Sequence, residues 1–245
     1  MKISILGHGN MGSEIERLVR AGGVHSVSIA LENMSPKIDM ALIKEADVVI
    51  DFTSPEIVMQ NIKTIVSARK NMVVGTTGWY EQLGEVEKLV QKNGTGLIYG
   101  QNFSIGANIF FQLVARATKL TSAFGNYDPY GLEIHHVGKK DSPSGTALRT
   151  AKEILENSAT KKTLQTEKLD RQIKPDELHF ASLRGGRNPG YHQVVFDSPA
   201  DSITISHSAH NREGFAGGAI LAAEFINGKK GVYTFDDVIR SKNII

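Results

Sequence analysis

Short apolar runs alternate with segments of helical periodicity through the first hundred residues. The apolar runs are Lys2–Leu6, Val27–Leu31, Ala46–Phe52, Met72–Val74 and Gly96–Tyr99. Between them, apolar positions recur at three- and four-residue spacing, as on the buried side of an amphipathic helix. Strands and helices that alternate in this way predict a parallel, doubly wound sheet with helices on both faces.

The pattern changes after a predicted helix at about residues 105 to 120. Strand-like segments then follow one another with fewer helices between them: Leu132–Val137, Leu178–Leu183, His192–Asp197 and Ser202–His207. A single helix, from Ser144 to about residue 157, interrupts them. We expect a second, α+β domain with a mostly antiparallel sheet. The polar, charged residues 158–176 are predicted to be a mobile connection.

A glycine-rich sequence joins the first predicted strand to the first predicted helix. It consists of Gly7, His8, Gly9, Asn10, Met11 and Gly12. The spacing is that of the dinucleotide-binding fingerprint, and Glu32 closes the second strand twenty residues later, where such folds place an acid for the ribose hydroxyls. The glycines allow a pyrophosphate to approach the start of the helix. This part of the chain is predicted to be a Rossmann-type domain that binds a nicotinamide dinucleotide.

The stretch from residue 133 to residue 147 contains the highest density of reactive groups. His135 and His136 lie on a predicted strand and therefore point to opposite faces, and Lys139 follows in a turn. Ser144 is a plausible N-cap, and N–H groups at a helix start bind anions such as carboxylates. Together these groups predict a site for a small anionic substrate. The alternative for each group alone is structural, a histidine pair at a strand end and a solvated lysine turn.

The same stretch resembles the motif of a known family. The residues concerned are His135, His136, Lys139, Asp141, Pro143, Ser144, Gly145, Thr146 and Ala147. Their order and spacing are similar to those of 4-hydroxy-tetrahydrodipicolinate reductase (dihydrodipicolinate reductase), and the similarity extends over essentially the whole chain. The resemblance implies NAD(P)H-dependent reduction of the dehydrated form of 4-hydroxy-tetrahydrodipicolinate to tetrahydrodipicolinate, in lysine and diaminopimelate biosynthesis.

Specific roles follow from the resemblance. Lys139 is expected to be the proton donor and His135 its acid/base partner, as catalytic residues. The substrate carboxylates are expected to bind to His136, Ser144, Gly145 and Thr146. Besides the glycine loop and Glu32, the expected cofactor contacts are Phe52, Gly75, Thr76, Thr77, Gln101, Asn102 and Phe103. Arg184 is either a second anion contact or part of a structural turn, and a structural role is favoured for His179, His192, His207 and His210.

The domain organisation is also implied by the resemblance. Residues 1–105 and 215–245 would form the dinucleotide-binding domain, and residues 106–214 the substrate-binding and oligomerisation domain of a homotetramer. The glycine loop is one residue shorter than in most of the family. Asn33 stands where many relatives have an arginine for the 2′-phosphate of NADP, so we expect use of NADH and NADPH with a preference for NADH.

Composition narrows the alternatives. The 245 residues carry a formal net charge of +2 and no cysteine, which argues against nucleic-acid binding and excludes thiolate chemistry. Apolar runs of the length of a membrane span are absent from the sequence. We expect a cytoplasmic enzyme without a metal site that acts on a small dicarboxylate. Another Rossmann-domain amino-acid or semialdehyde dehydrogenase, or a non-enzymatic dinucleotide-sensing module, remains open.

Overall fold

The computed structural model describes residues 1–31 and 37–242, and the chain divides into two compact units. One unit contains residues 1–105 and the chain from residue 212 onward, and the other contains residues 106–211. The strands are β1 (Lys2–Leu6), β2 (Ser26–Leu31), β3 (Val48–Asp51), β4 (Asn71–Val74), β5 (Gly96–Tyr99), β6 (Asp128–His135), β7 (Thr163–Gln165), β8 (Glu177–Arg184), β9 (Tyr191–Asp197), β10 (Ser202–Ser208) and β11 (Gly231–Thr234). The helices are α1 (Asn10–Gly22), α2 (Met40–Glu45), α3 (Pro55–Ser67), α4 (Leu83–Asn93), α5 (Ile105–Phe124), α6 (Gly145–Asn157), α7 (Glu213–Ile226) and α8 (Phe235–Arg240).

The first unit is built on a six-stranded sheet in the order β11-β5-β4-β3-β1-β2, with every neighbouring pair parallel. The predicted doubly wound parallel sheet is therefore confirmed. One apolar cluster joins one sheet face to α1, α7 and α8, and a second joins the opposite face to α2, α3 and α4. Because both faces are covered, the strands are apolar at successive positions rather than at alternate ones.

One helix of this unit was not predicted, whereas the apolar helix rich in small residues from Phe215 to Ile226 was expected to pack closely. Helix α2 has only six residues, too few for a periodic pattern, and it begins where Asp39 accepts hydrogen bonds from the N–H groups of Ala41 and Leu42. In α7, a Cβ added to Gly218 would lie 1.7 Å from the carbonyl oxygen of Phe103. Only glycine allows the helix to approach the segment after β5 so closely.

The second unit has a five-stranded sheet in the order β10-β9-β6-β8-β7. The pairs β10–β9 and β9–β6 are antiparallel, whereas β6–β8 and β8–β7 are parallel. The sheet is thus mixed, not mostly antiparallel as expected. The reason is α6, which carries the chain from β6 back to the same end of the sheet, as a parallel connection requires.

The predicted mobile connection at residues 158–176 contains an ordered strand. Strand β7 extends the sheet, and the side chain of Lys161, two residues before this strand, is buried. The Lys161 ammonium donates to the carbonyl oxygens of Pro175 and Glu177 at 3.0 and 2.9 Å and pairs with Asp128. A buried ammonium needs such partners, so these bonds anchor the segment.

The two faces of the mixed sheet differ. Helices α5 and α6 pack on one face, through a core that includes Phe110, Ile154 and Phe180. The opposite face presents Tyr130, 44% exposed, and Leu183, 56% exposed. Among the helices of the described residues, none combines the length and apolar character that crossing a lipid bilayer requires.

Candidate active site

The glycine loop after β1 has a backbone that excludes side chains. Gly7 has φ of 87°, and a Cβ there would lie 2.6 Å from the carbonyl oxygen of Phe52. A Cβ on Gly12 would lie 2.1 Å from the carbonyl oxygen of Gly7. Gly9 is the N-cap of α1 and has no side chain with which to cap the first N–H groups. Helix starts of this kind leave N–H groups without an intrahelical partner, and such groups can bind phosphate.

A buried carboxylate fixes the ends of the two neighbouring strands. Asp51, the last residue of β3, is fully buried and accepts hydrogen bonds from Thr53, Asn61 and Thr76. Burial raises the pKa of Asp51, and these hydrogen bonds oppose the rise. Since Asn61 lies on α3 and Thr76 follows β4, the carboxylate ties three elements together at the carboxyl edge of the sheet.

Aromatic residues complete this edge. The Phe52 ring lies against Gly75, where an added Cβ would be 2.2 Å from the Phe52 Cε1 atom. It also makes an edge contact with Phe103, with ring centroids 6.0 Å apart. After β5, the Asn102 side-chain oxygen accepts a hydrogen bond from the Ser104 N–H.

The structure therefore groups most of the predicted cofactor residues. These are Gly7, His8, Gly9, Asn10, Met11, Gly12, Phe52, Gly75, Thr76, Thr77, Gln101, Asn102 and Phe103, which follow the adjacent strands β1, β3, β4 and β5. The carboxyl ends of adjacent parallel strands share one sheet edge, which is where such folds bind ligands. Glu32 and Asn33 lie outside the described residues.

In the second unit, four elements converge on Glu133, which is fully buried on β6. One carboxylate oxygen, Oε1, accepts from the Ser144 N–H, the Ser182 hydroxyl and the Arg184 guanidinium, each at 2.9 Å. The other, Oε2, accepts from the Ser144 hydroxyl. Burial favours a higher pKa of Glu133, but hydrogen bonds from His192, Ser144 and Arg184 outweigh it and hold that pKa well below its ordinary value. Glu133 is therefore an anion at neutral pH.

Two imidazoles share the Oε2 side of this carboxylate. Nδ1 of His135 lies 3.1 Å from Oε2 and Nε2 of His192 lies 3.4 Å from it. The two rings meet edge to face, with centroids 5.1 Å apart. Burial lowers the pKa of His135 to about 4; Glu133 opposes the shift, while His192, Lys139 and Arg184 add to it. The His135 imidazole is therefore neutral at neutral pH.

Lys139 lies in the turn that follows β6. Its N–H donates to the carbonyl oxygen of His136 at 3.1 Å, and the His136 N–H donates to the carbonyl oxygen of Asn188 at 2.8 Å. The Lys139 ammonium is 2.8 Å from the Asp141 carboxylate, and its side chain is partly exposed. An incoming anion thus meets an ammonium that is held near His135 but still reached by solvent.

The start of α6 lies beside the same cluster. Ser144 is the N-cap, as predicted, and its hydroxyl accepts from the Ala147 N–H at 3.1 Å. Both donors of Ser144, its N–H and its hydroxyl, are directed to Glu133. Gly145 and Thr146 occupy the first helical positions, and a Cβ on Gly145 would meet no atom of the described chain within 4 Å. The helix start is therefore open to a ligand at Gly145.

Sequence reasoning did not identify Glu133, Ser182 and His192. Glu133 lies two positions before His135 on one strand, which places both on the same face and was a usable signal. His192 and Ser182 lie directly opposite Glu133 on β9 and β8. That pairing depends on strand register, which the sequence of the strands alone does not reveal.

Arg184 and His207 contact other parts of the protein. The Arg184 guanidinium donates to Glu133 and to the carbonyl oxygens of Asp141 and Leu183. His207 lies 6.1 Å from the Phe110 ring, and burial lowers its pKa.

Glu133, His135 and His192 present ligand atoms within 4.8 Å of one another, a spacing that also suits a metal ion. Because the Arg184 guanidinium already binds the Glu133 carboxylate, a proton-transfer network is favoured over a metal site.

The combination of a dinucleotide-binding α/β unit with a second α+β unit defines a class, the pyridine-nucleotide-dependent two-domain oxidoreductases. Family models for the N-terminus and C-terminus of dihydrodipicolinate reductase match residues 1–103 and 106–239. The chain belongs to this family, that of 4-hydroxy-tetrahydrodipicolinate reductase.

Individual relatives agree with this assignment. The chain is 36% identical over 98% of both chains to 4-hydroxy-tetrahydrodipicolinate reductase from Christiangramia forsetii. It is 35% identical to the enzyme of that name from Methanococcus aeolicus, over 97% of this chain and 86% of the relative. In fold it is similar to the dipicolinate-bound dihydrodipicolinate reductase from Paenisporosarcina sp. TG-14, with a TM-score of 0.78, 23% identity and coverage of 97% and 98%.

Proposed function

We propose that the protein catalyses NAD(P)H-dependent reduction of the dehydrated form of 4-hydroxy-tetrahydrodipicolinate to tetrahydrodipicolinate, in lysine and diaminopimelate biosynthesis. The observation that carries the proposal is the cluster of His135, Glu133 and Lys139 beside an open helix start, in a chain whose two halves both match the reductase family. A dinucleotide-sensing module has no need for these groups beside an anion site, and a semialdehyde dehydrogenase has no need to hold two carboxylates.

We further propose that residues 1–105 with 212 onward bind the cofactor and that residues 106–211 bind the substrate. The glycine loop suits a pyrophosphate, because it leads from β1 into the start of α1, and its tight turn leaves no room for a Cβ at Gly7 or Gly12. Phe52, Thr76 and Asn102 lie at the adjacent strand ends, on the expected nicotinamide side. A bound reduced nicotinamide supplies a hydride for a ring carbon conjugated to the substrate imine.

The proposed proton chemistry rests on the second unit. Hydride addition builds negative charge on the substrate ring, and the Lys139 ammonium is positioned to stabilise it and to donate a proton. His135 is neutral before the substrate arrives, so it can accept or pass on a proton. His136, Gly145 and Thr146 are proposed to bind the carboxylates, while Ser144 shapes the helix start through Glu133.

The coupled assay tests the function directly. Pyruvate and aspartate semialdehyde are passed through a purified synthase, and loss of the reduced-nicotinamide absorbance is followed after addition of the protein. We expect cofactor oxidation that requires the synthase. Oxidation with aspartate semialdehyde alone favours a semialdehyde dehydrogenase. Cofactor binding without any turnover favours the sensing module.

The same assay, run with each cofactor, tests the cofactor preference. We propose that kcat/KM with NADH equals or exceeds that with NADPH, because Glu32 repels a 2′-phosphate and Asn33 offers only neutral hydrogen bonds. Replacing Asn33 by arginine, Asn33→Arg, should shift the ratio toward NADPH by about tenfold, the value of about 1–2 kcal/mol of added contact. A tenfold wild-type preference for NADPH would contradict the proposal.

Thr146→Val tests the carboxylate site. Dipicolinate, the planar diacid named in the Paenisporosarcina complex, should bind this protein, and loss of the hydroxyl should cost about 1–3 kcal/mol, or about 5- to 150-fold in Kd. The matched control is Thr118→Val, whose buried hydroxyl bonds to the Val114 carbonyl oxygen within α5. Calorimetry with equal affinity for wild type and Thr146→Val would refute the assignment.

We also propose that the open face of the mixed sheet assembles a homotetramer. Tyr130, Leu132, Ile134 and Leu183 alternate outward on β6 and β8, and apolar surface of this kind is normally covered. Leu183→Asp should dissociate the assembly in sedimentation velocity experiments. Val24→Asp, at another exposed apolar residue, should leave it intact. A wild-type monomer at micromolar concentration would contradict this proposal.

A further inference from the structure

Glu133 is surrounded by more polar groups than a structural carboxylate needs, and it is fully buried. We propose that Glu133 is a positioning residue, which holds His135 in one ring orientation and one tautomer, with Nδ1–H toward the carboxylate and Nε2 directed to the substrate. This inference rests on the proposed role of His135. The family motif assigned no function to Glu133, Ser182 or His192.

The tautomer follows from the contact at Nδ1. A carboxylate oxygen only accepts hydrogen bonds, so a lone pair on Nδ1 at 3.1 Å from the Glu133 Oε2 would be repelled. Among the described residues Nδ1 makes no hydrogen bond of acceptable angle, although the Glu133 Oε2 atom lies within hydrogen-bonding distance. Contacts of this kind are often loose before the substrate binds and tighten in the complex.

The opposite edge of the ring lies beside Gly190. A Cβ added to Gly190 would lie 3.1 Å from Nε2 of His135, and Gly190 has φ of 157°, which favours glycine. With Nδ1 protonated, Nε2 carries a lone pair on the edge where Gly190 leaves out a side chain. The imidazole can therefore accept a proton or a hydrogen bond only on the side away from Glu133.

The carboxylate itself cannot rotate. Its Oε1 atom is held by donors from β8 and from the start of α6, namely Ser182, Arg184 and Ser144. His192 fixes the other side, since its Nε2 lies 3.2 Å from the Ser144 hydroxyl and its ring meets the His135 ring edge to face. Charge-assisted bonds of this kind give direction as well as stability. Because β8, β9 and the start of α6 fix the Glu133 carboxylate, Glu133 in turn fixes the orientation of the His135 imidazole.

The test combines kinetics with a measurement on the imidazole. Glu133→Gln keeps the size of the side chain but presents an amide, and we expect kcat to fall about 10- to 100-fold while KM for the cofactor changes little. Long-range ¹H–¹⁵N correlation spectra of labelled histidine report the tautomer. The His135 signal is expected as the Nδ1–H form in wild type and as a mixture or the Nε2–H form in the variant.

A matched control separates positioning from general stability. Glu177→Gln alters a different buried glutamate, at the start of β8, which accepts two hydrogen bonds from Arg171. It is expected to lower the melting temperature but to leave kcat and the His135 tautomer unchanged. If Glu133→Gln does not fold, Ser182→Ala removes only one donor to Glu133, and a fall of about two- to tenfold in kcat is expected.

The outcomes are distinct. Glu133→Gln with wild-type kcat overturns the proposal, as does a loss of kcat with an unchanged tautomer, which indicates a purely structural carboxylate. Ser182→Ala with full kcat overturns it when the first variant is insoluble. The spectra need no substrate, so failure of the reductase assay with wild-type protein overturns the proposed function without deciding the tautomer.

Discussion

Lys139→Ala is expected to lower kcat by about 10²-fold or more while the fold and cofactor affinity stay intact, as for loss of a positioned proton donor. The Lys139 ammonium is held by Asp141 at 2.8 Å and lies close enough to His135 to depress its pKa. In the proposed mechanism, removing it takes away both the donated proton and a positive charge that stabilises the developing anion. Steady-state kinetics and cofactor titration measure the two effects separately.

The neighbouring residue provides the control. Lys140 has the same side chain but is exposed, and Lys140→Ala should keep kcat within about twofold of wild type, as is usual for surface substitutions. Equal loss of activity in both variants would indicate a general effect of positive charge. Near wild-type kcat in Lys139→Ala would show that another group donates the proton.

Gly12→Ala is expected to abolish measurable NADH binding or to weaken it by about 30-fold or more. The added methyl group would lie 2.1 Å from the carbonyl oxygen of Gly7, closer than any real contact, and Ile5 on the other side leaves no room. The loop must therefore move, and overpacking of this kind typically costs about 1–3 kcal/mol. Fluorescence titration with NADH and thermal denaturation measure binding and stability.

Gly22→Ala is the matched substitution at the other end of the same helix. An added Cβ there meets no described atom within 4 Å, so alanine should stabilise α1 by about 0.4–1 kcal/mol. Binding of NADH should be unchanged. Normal NADH affinity in Gly12→Ala would contradict the assignment of the glycine loop.

The nucleotide-binding unit was predictable because its information is local. Buried parallel strands are apolar at successive positions, and Gly7 and Gly12 mark a turn whose backbone has no room for a Cβ. The N-cap at Ser144 was equally visible, since a capping residue acts within three positions of the chain. Local patterns of this kind need no knowledge of which strands pair.

The Glu133 cluster depended on distant pairing and was therefore missed. His192 is 59 positions after Glu133 in the chain, yet it lies directly opposite Glu133 on the neighbouring strand β9. Ser182 lies opposite Glu133 on the other neighbouring strand, β8. The mixed character of the second sheet was missed for the same reason. The order of strands along the chain does not determine their order in a sheet once a crossover helix intervenes.

The first unit is formed by two segments that are separated along the chain, and this affects the order in which its parts can fold during synthesis. During synthesis, residues 106–211 emerge as one continuous unit, whereas the first sheet keeps an open edge at β5 until β11 is made. Helix α7, which approaches Phe103 through Gly218 and covers α1, also arrives late. An unpaired strand edge and uncovered apolar surface promote association with other chains. The nascent chain is therefore most prone to aggregate through residues 1–105, which are synthesised first. This period lasts from the release of residue 105 until the release of residue 234.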